Sequence, residues 1–133
     1  MIDVFATIRA YLVAQSGVTA QFGSRIYMGE AEPPNSANYK PSDGAALCIV
    51  GQGGQPSFDG AAQEPRLMVK VYGATPAVAM TAYRAYVDAM DGAALSAKVM
   101  AGYAESYAMQ LREPDTDWPC VLEFRRVLIR EDD

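Results

Sequence analysis

The chain has 133 residues, of which 16 are acidic and 11 are basic, and half of the residues are hydrophobic. This length suits a single domain with a core of its own. The net charge of −5 argues against a surface that grips nucleic acid, because neutralising phosphates requires an excess of lysine and arginine. No secretory leader is visible and no apolar run approaches a membrane span of about 20 residues, so we expect synthesis in the cytoplasm.

The first 24 residues predict one helix followed by a single helical turn. Apolar residues recur at helical spacing from Phe5 to Leu12, and Asp3 can cap this helix through its carboxylate. Gly17 is expected to end the helix, since glycine is the usual residue just past a helix C-terminus. Residues 18–24 then fit one turn.

Residues 25–60 predict two strands separated by a long loop. Residues 25–28 fit a short strand, and residues 45–50 form an apolar run that fits a second. Residues 29–44 contain three prolines and no apolar period, so they predict a loop, either a plain surface insertion or an arm that binds a partner. The glycine-rich residues 51–60 predict a turn.

Residues 64–92 predict a strand, a tight junction and a second helix. Thr75 can cap this helix, Pro76 suits its first position, and Gly92 is expected to follow its end. Strand periodicity sends alternate side chains to opposite faces. The two predicted faces are Leu67, Val69 and Val71 on one side and Met68, Lys70 and Tyr72 on the other.

The last third predicts a hairpin with arms near residues 103–111 and 119–130. The alternation in the second arm slips by one at Arg125 and Arg126, which predicts a β-bulge there. The element order is α-β-β-β-α-β-β. We therefore expect one α+β domain over residues 1–133, with an antiparallel or mixed sheet and two helices on one face.

Little in the sequence points to catalysis, a metal or a cofactor. There is no histidine, so the commonest general base and zinc ligand is missing. Cys48 and Cys120 each lie in an apolar run and predict small buried hydrophobes in a reducing compartment. Residues 51–60 lack the lysine and hydroxyl of a phosphate loop, and residues 113–118 fit a solvated hairpin tip better than a calcium loop. We expect no enzyme.

Eight tyrosines suggest contacts with other proteins, because tyrosine buries a large area at interfaces. Most are expected to be half-buried. The tyrosines with the best placement for an interface are Tyr27, Tyr39 and Tyr103.

Several stretches, in this order, resemble the tail terminator (tail completion) proteins of long-tailed bacteriophages. They are MIDVFATIRAYL, FGSRIYMG, ALCIV and RLMVKVYGATPAVAMTAYRAYVDAMDG, and they span about two-thirds of the chain. The resemblance implies a virion protein, made in the host cytoplasm, that forms a ring, usually a hexamer, at the head–tail junction. Such a ring caps the tail tube protein, ends its polymerisation and docks the head connector protein, while DNA passes through the lumen.

The residues are compatible with that role, since an acidic protein around a channel would repel DNA and let it pass. In such a ring, residues of the outer sheet face are expected to pair with acids of the next subunit. These residues are Lys70, Tyr72, Arg125 and Arg126. Another neck or connector ring protein, a generic oligomeric α+β binding module and an enzyme with a spatially assembled site are the alternatives.

Overall fold

In a computed structural model, the described residues are 4–28, 39–56, 62–91, 99–106, 108–114 and 116–130. Within those ranges the chain forms three α-helices, α1 Val4–Val13, α2 Ser16–Phe22 and α3 Pro76–Asp91. It also forms six strands, β1 Ile26–Met28, β2 Ala46–Pro56, β3 Ala62–Tyr72, β4 Val99–Ala104, β5 Met109–Arg112 and β6 Pro119–Arg130, and a short 3-10 helix, Pro41–Asp43. Most of the loop expected at residues 29–44 lies outside the described residues.

The six strands form one mixed sheet in the order β1-β2-β3-β6-β4, with β5 pairing β6 beyond the end of β4. Strand β1 runs parallel to β2, and all other pairs are antiparallel. The three helices supply buried residues to one cluster with alternate residues of the strands, so they cover one face of the sheet. The expected α+β fold with a mixed sheet is confirmed, with three helices in place of two.

The main core lies between the helices and the sheet. Alternation along β3 follows the prediction, since Leu67, Val69 and Val71 are fully buried on the helix side. Each fully buried aliphatic side chain of this kind contributes about 1.5–3 kcal/mol to folding. The residues that meet them from the helices are Ile8, Leu12, Val18, Phe22, Ala79, Ala82, Tyr86 and Met90.

The first helix ends at Val13, and Gly17 lies inside α2, so the expected stop at Gly17 is wrong. The backbone tightens at this point, where Gln15 N donates to Leu12 O at 3.0 Å. A second helix, rather than one turn, forms because Val18 and Phe22 are both fully buried in the main core. Tertiary packing thus stabilises a seven-residue helix that would not persist alone.

The glycine-rich segment extends β2 and does not begin a turn at residue 51. Pairing with β3 continues to Pro56, but the register shifts by one between Gly51 and Gly54. Gly53 adopts φ +85°, a conformation that favours glycine. The glycines therefore form a β-bulge within the strand. The turn expected over residues 51–60 is wrong for residues 51–56, and residues 57–60 lie outside the described residues.

The first arm of the predicted hairpin is divided into β4 and β5, which lie end to end along β6. Ala104 pairs with Arg125 and Met109 with Leu122, so residues 105–108 lie opposite two residues of β6. Ser106 Oγ accepts a hydrogen bond from the backbone N–H of Phe124 at 3.1 Å and takes the place of a strand partner. The irregularity in strand pairing therefore lies in the first arm of the hairpin, which contains β4 and β5. The expected bulge in β6 is wrong, because β6 pairs regularly with β3.

The junction between β3 and α3 requires a glycine at position 73 for steric reasons. Thr75 Oγ1 accepts from the backbone N–H of Val78 at 3.2 Å and Pro76 begins the helix, as predicted. A Cβ atom on Gly73 would lie 2.6 Å from the backbone nitrogen of Ala79 and 2.9 Å from its Cα. Only glycine lets the first turn of α3 pass this close to the end of the strand.

Gly73→Ala is expected to destabilise the protein by about 1–3 kcal/mol, because the added methyl group overlaps backbone that cannot move without shifting α3. The matched control is Gly17→Ala, where a Cβ meets no atom within 4 Å inside a helix. That change should be neutral or stabilising by up to about 1 kcal/mol. Urea denaturation of both variants measures the difference, and equal stabilities would contradict the steric argument.

Candidate interaction surfaces

The described residues show little reactive chemistry. In the described ranges, no group of three or more cysteine, aspartate or glutamate side chains is placed to hold a metal ion. None of the helices in those ranges combines the length and the hydropathy needed to cross a membrane.

Cys48 and Cys120 are free thiols, 5% and 2% exposed, so both are the small buried hydrophobes that were expected. Burial raises the pKa of each thiol to about 11. Neither is an activated nucleophile.

The sheet face opposite the helices, called here the outer face, is covered at one end by an aromatic cluster. Tyr39 packs edge-on against Trp118, with ring centroids 5.1 Å apart, and also contacts Tyr72 and Tyr27. The Tyr39 hydroxyl donates to the backbone carbonyl of Gly44 at 2.6 Å. Tyr39 and Tyr72 are 2% and 5% exposed, so both lie within a second core. Tyr39, which was predicted as an interface residue, is therefore buried within its own chain, and Tyr27 is half-buried.

Lys70 and Tyr72 already have an acidic partner in their own chain. Lys70 Nζ lies 2.6 Å from Oε1 of Glu113, and the Tyr72 hydroxyl donates to the same oxygen at 2.9 Å. Glu113 follows β5 at the start of the predicted hairpin tip, but its side chain is only 16% exposed. The tip is thus partly folded onto the outer face.

Arg126 also pairs within the chain. Its Nε lies 3.1 Å from Glu105, which is bound by Arg66 at 2.8 Å, and a second nitrogen lies 3.8 Å from Glu64. The Arg66 guanidinium carbon stands 4.6 Å from the centroid of the Phe124 ring. Together with Lys70 and Glu113, these residues give the outer face three acids and three bases. The charges of these six paired residues balance, within a chain whose net charge is −5.

Arg125 lies beneath the helices, so the prediction of a surface position is wrong. Its side chain is 2% exposed, and its Nε donates to Oε2 of the fully buried Glu123 at 2.7 Å. Another nitrogen donates to Asp91 at the end of α3 at 3.2 Å. Both charged residues occupy helix-side positions of β6 between Val121 and Val127, which are fully buried. The apolar pattern slips because charged residues fill two core positions.

Two tyrosines of α3 complete this buried pair. The Tyr83 hydroxyl donates to Oε1 of Glu123 at 2.5 Å, and the Arg125 guanidinium carbon lies 5.6 Å from the Tyr86 ring centroid. Burial alone would lower the pKa of Arg125, but its hydrogen bond with Glu123 and the nearby charges raise it above the ordinary value. Arg125 therefore stays ionised and joins the centre of the sheet to α3.

Two further surfaces carry exposed apolar groups. Tyr103 on β4 is 56% exposed and Met109 on β5 is 47% exposed, so Tyr103 is the predicted interface tyrosine that the structure leaves most accessible. On the helix side, α2 and α3 enclose a shallow groove of about 240 Å³. The groove is lined by Gln21, Ala77, Val78 and Thr81. No pattern in the sequence predicts this groove, because it depends on how the two helices pack.

A helix layer on one face of a mixed sheet is a fold that this chain shares with solved structures. One of them is a chain in the virion of a native gene transfer agent (GTA) particle. The two chains are 18% identical and superpose with a TM-score of 0.63 over 92% of this chain and 91% of the other. At this identity the likeness shows a common fold. No family model matches the sequence, and no curated protein matches it.

Arg125→Met is expected to destabilise the protein by roughly 3–5 kcal/mol, because it leaves the carboxylate of Glu123 buried without its partner. The double change Arg125→Met with Glu123→Gln removes both charges and should recover much of that loss. Arg126→Met is the matched control, since the adjacent arginine faces the outer side and should have a small effect. Urea denaturation of the variants tests this, and a double variant no more stable than Arg125→Met would contradict it.

The two buried thiols are expected to make stability fall in alkaline solution. Their pKa rises from 9.0 to about 11 on folding, so the stability that they contribute is complete below pH 9 and is lost as the pH rises to 11. A pKa difference of this size corresponds to about 2–3 kcal/mol per thiol. Unfolding titrations of the wild type should show this fall, and Cys48→Ala/Cys120→Ala should show less of it. Equal falls in the two proteins would contradict the assignment.

Proposed function

We propose that this protein is a structural protein of a phage-like virion, where it forms a ring at the head–tail junction. The observation that carries the proposal is the fold likeness to a GTA virion chain, which extends over 92% of this chain with a TM-score of 0.63. The sequence resemblance to tail terminators supports it separately, because it rests on local motifs and their order. Both lines of support favour a virion protein.

Within that class, a tail terminator is the role that we infer. A ring of six copies would cap the last ring of the tail tube protein, end its polymerisation and present a surface for the head connector protein. A single sheet with helices on one face supports this role, since in the described residues no helix covers its outer face and β1 and β4 end the strand order, so both can contact other proteins. The role needs no cofactor.

The chemistry of the described residues supports a structural role over an enzymatic one. The thiols of Cys48 and Cys120 are buried and their pKa values are raised, and the sequence has no histidine to act as a base. The carboxylates of Glu105, Glu113 and Glu123 are each bound by a lysine or an arginine. Carboxylates that are held in ion pairs of this kind are poor general acids and bases.

The charge of the chain supports passage of DNA without binding. The described ranges contain eight of the 16 acidic residues but ten of the 11 basic ones, so the acidic excess belongs to the other segments. Most of the described basic side chains on the outer face are already paired with acids. A ring of such chains would present few free cations to phosphate.

Native mass spectrometry with negative-stain imaging tests the ring, and purified tail tubes test the terminator role. We expect a closed ring of six copies, as the family resemblance implies, that binds tube ends and stops further addition of tube protein. A ring that binds connector but leaves tubes growing would reassign the protein to another neck position. A chain that stays monomeric or dimeric, alone and with tubes, would overturn the ring.

A further inference from the structure

The tip between β5 and β6 is held against the outer face by the two residues at its ends. Glu113 and Trp118 close the tip, because the backbone N–H of Glu113 donates to the carbonyl of Trp118 at 3.0 Å. These two residues are called here the clasp. Glu113 Oε1 lies 2.6 Å from Lys70 Nζ and accepts from the Tyr72 hydroxyl at 2.9 Å. The clasp therefore links the tip to β3, which has a paired strand on each side.

The two free thiols of the chain lie beside the clasp. Cys48 is opposite Lys70 in the sheet, and Cys120 is opposite Tyr72. Directly opposed residues point to the same side of a sheet, so both thiols share the outer face with the residues that bind Glu113. Burial raises the pKa of both thiols, and the charge of Glu113 raises it as well, against the ammonium of Lys70, which lowers it. Both thiols are therefore close to the ion pair that the clasp makes.

The thiols are covered by side chains of the second core. Trp118 packs against the cluster that contains them, and its ring stands edge-on to those of Tyr39 and Tyr72, at centroid distances of 5.1 and 5.4 Å. The thiols of Cys48 and Cys120 are only 5% and 2% exposed. The helices of the described ranges pack on the opposite face of the sheet, so the thiols depend on this outer layer of side chains for their burial.

Three features weaken the closed tip. Asp117 adopts φ +58°, a left-handed conformation that strains residues other than glycine. Thr116 Oγ1 is buried without a hydrogen-bond partner among the described residues, and contact with water would satisfy it. Arg112 and Asp117 pair at 3.6 Å with side chains 55% and 81% exposed, so this ion pair adds little. The tip therefore depends mainly on the clasp.

We propose that the clasp opens and closes as a unit while the main core stays folded. Local opening occurs where few buried contacts hold a segment, and the second core shares no residue with the main core on the other face. The closed clasp covers Cys48 and Cys120 and binds the ammonium of Lys70. The open clasp exposes both thiols and presents Lys70 and Tyr72 together on the outer face. This device belongs to a single chain and does not depend on the proposed ring.

The urea dependence of thiol labelling tests whether the opening is local. At low concentration, an aromatic disulfide reagent labels a thiol at a rate that follows the population in which it is exposed. We expect the rate in the wild type to rise by less than about threefold over ~2 M urea, because local opening exposes little surface, whereas the global unfolding constant rises about fiftyfold. A labelling rate that rises as steeply as the unfolding constant would overturn the proposal.

Glu113→Gln tests whether the clasp controls the opening, because it removes the charge that binds Lys70. Glu105→Gln is the matched control, since it breaks ion pairs with two arginines on the same face. Without urea, we expect both thiols to label at least tenfold faster in Glu113→Gln and at close to the wild-type rate in Glu105→Gln. Equal labelling rates in the two variants would contradict the proposal. The urea series uses the wild type, so it stands even where Glu113→Gln folds poorly.

Discussion

The buried ion pair between Glu123 and Arg125 is the constraint around which the fold is arranged. Two charges at the centre of the sheet are tolerated only because each finds partners, and α3 supplies those partners through Tyr83 and Asp91. A shift of α3 would separate Tyr83 and Asp91 from this pair and leave a buried charge with fewer partners, which is costly. The pair therefore favours one position of α3, and that position in turn defines the groove that α3 forms with α2.

The sequence predicted those elements whose pattern is local. The alternation of Leu67, Val69 and Val71, the Thr75–Pro76 start of α3 and the extent of β6 all depend on neighbours in the chain. The prediction failed where the structure depends on contacts between residues that are far apart in the chain. Arg125 looked exposed because nothing in the sequence shows that Asp91 and Tyr86 come to meet it, and α2 looked like one turn because its stability comes from packing on α3.

The residues of the candidate surfaces also divide into those that the sequence predicted correctly and those whose partners within the chain it did not show. Tyr103 was predicted as an interface residue and is exposed, whereas Tyr39, Lys70 and Tyr72 found partners within the chain. Glu113, which binds Lys70 and Tyr72, lies 43 and 41 residues along the chain from them, so no local pattern shows this contact. With its charges paired, the outer face can approach another protein without leaving an ion unpaired, and this suits a surface buried on assembly.

Strand β6 pairs with three other strands, β3, β4 and β5, and it is the last of the described elements to leave the ribosome. Until it emerges, β4 and β5 have no sheet to join and one side of β3 is unpaired. Hydrogen-bonding edges and apolar side chains are then exposed together in a growing chain, a state prone to aggregation. Folding of the sheet therefore waits for β6, and no copy can join an assembly until that strand has been made.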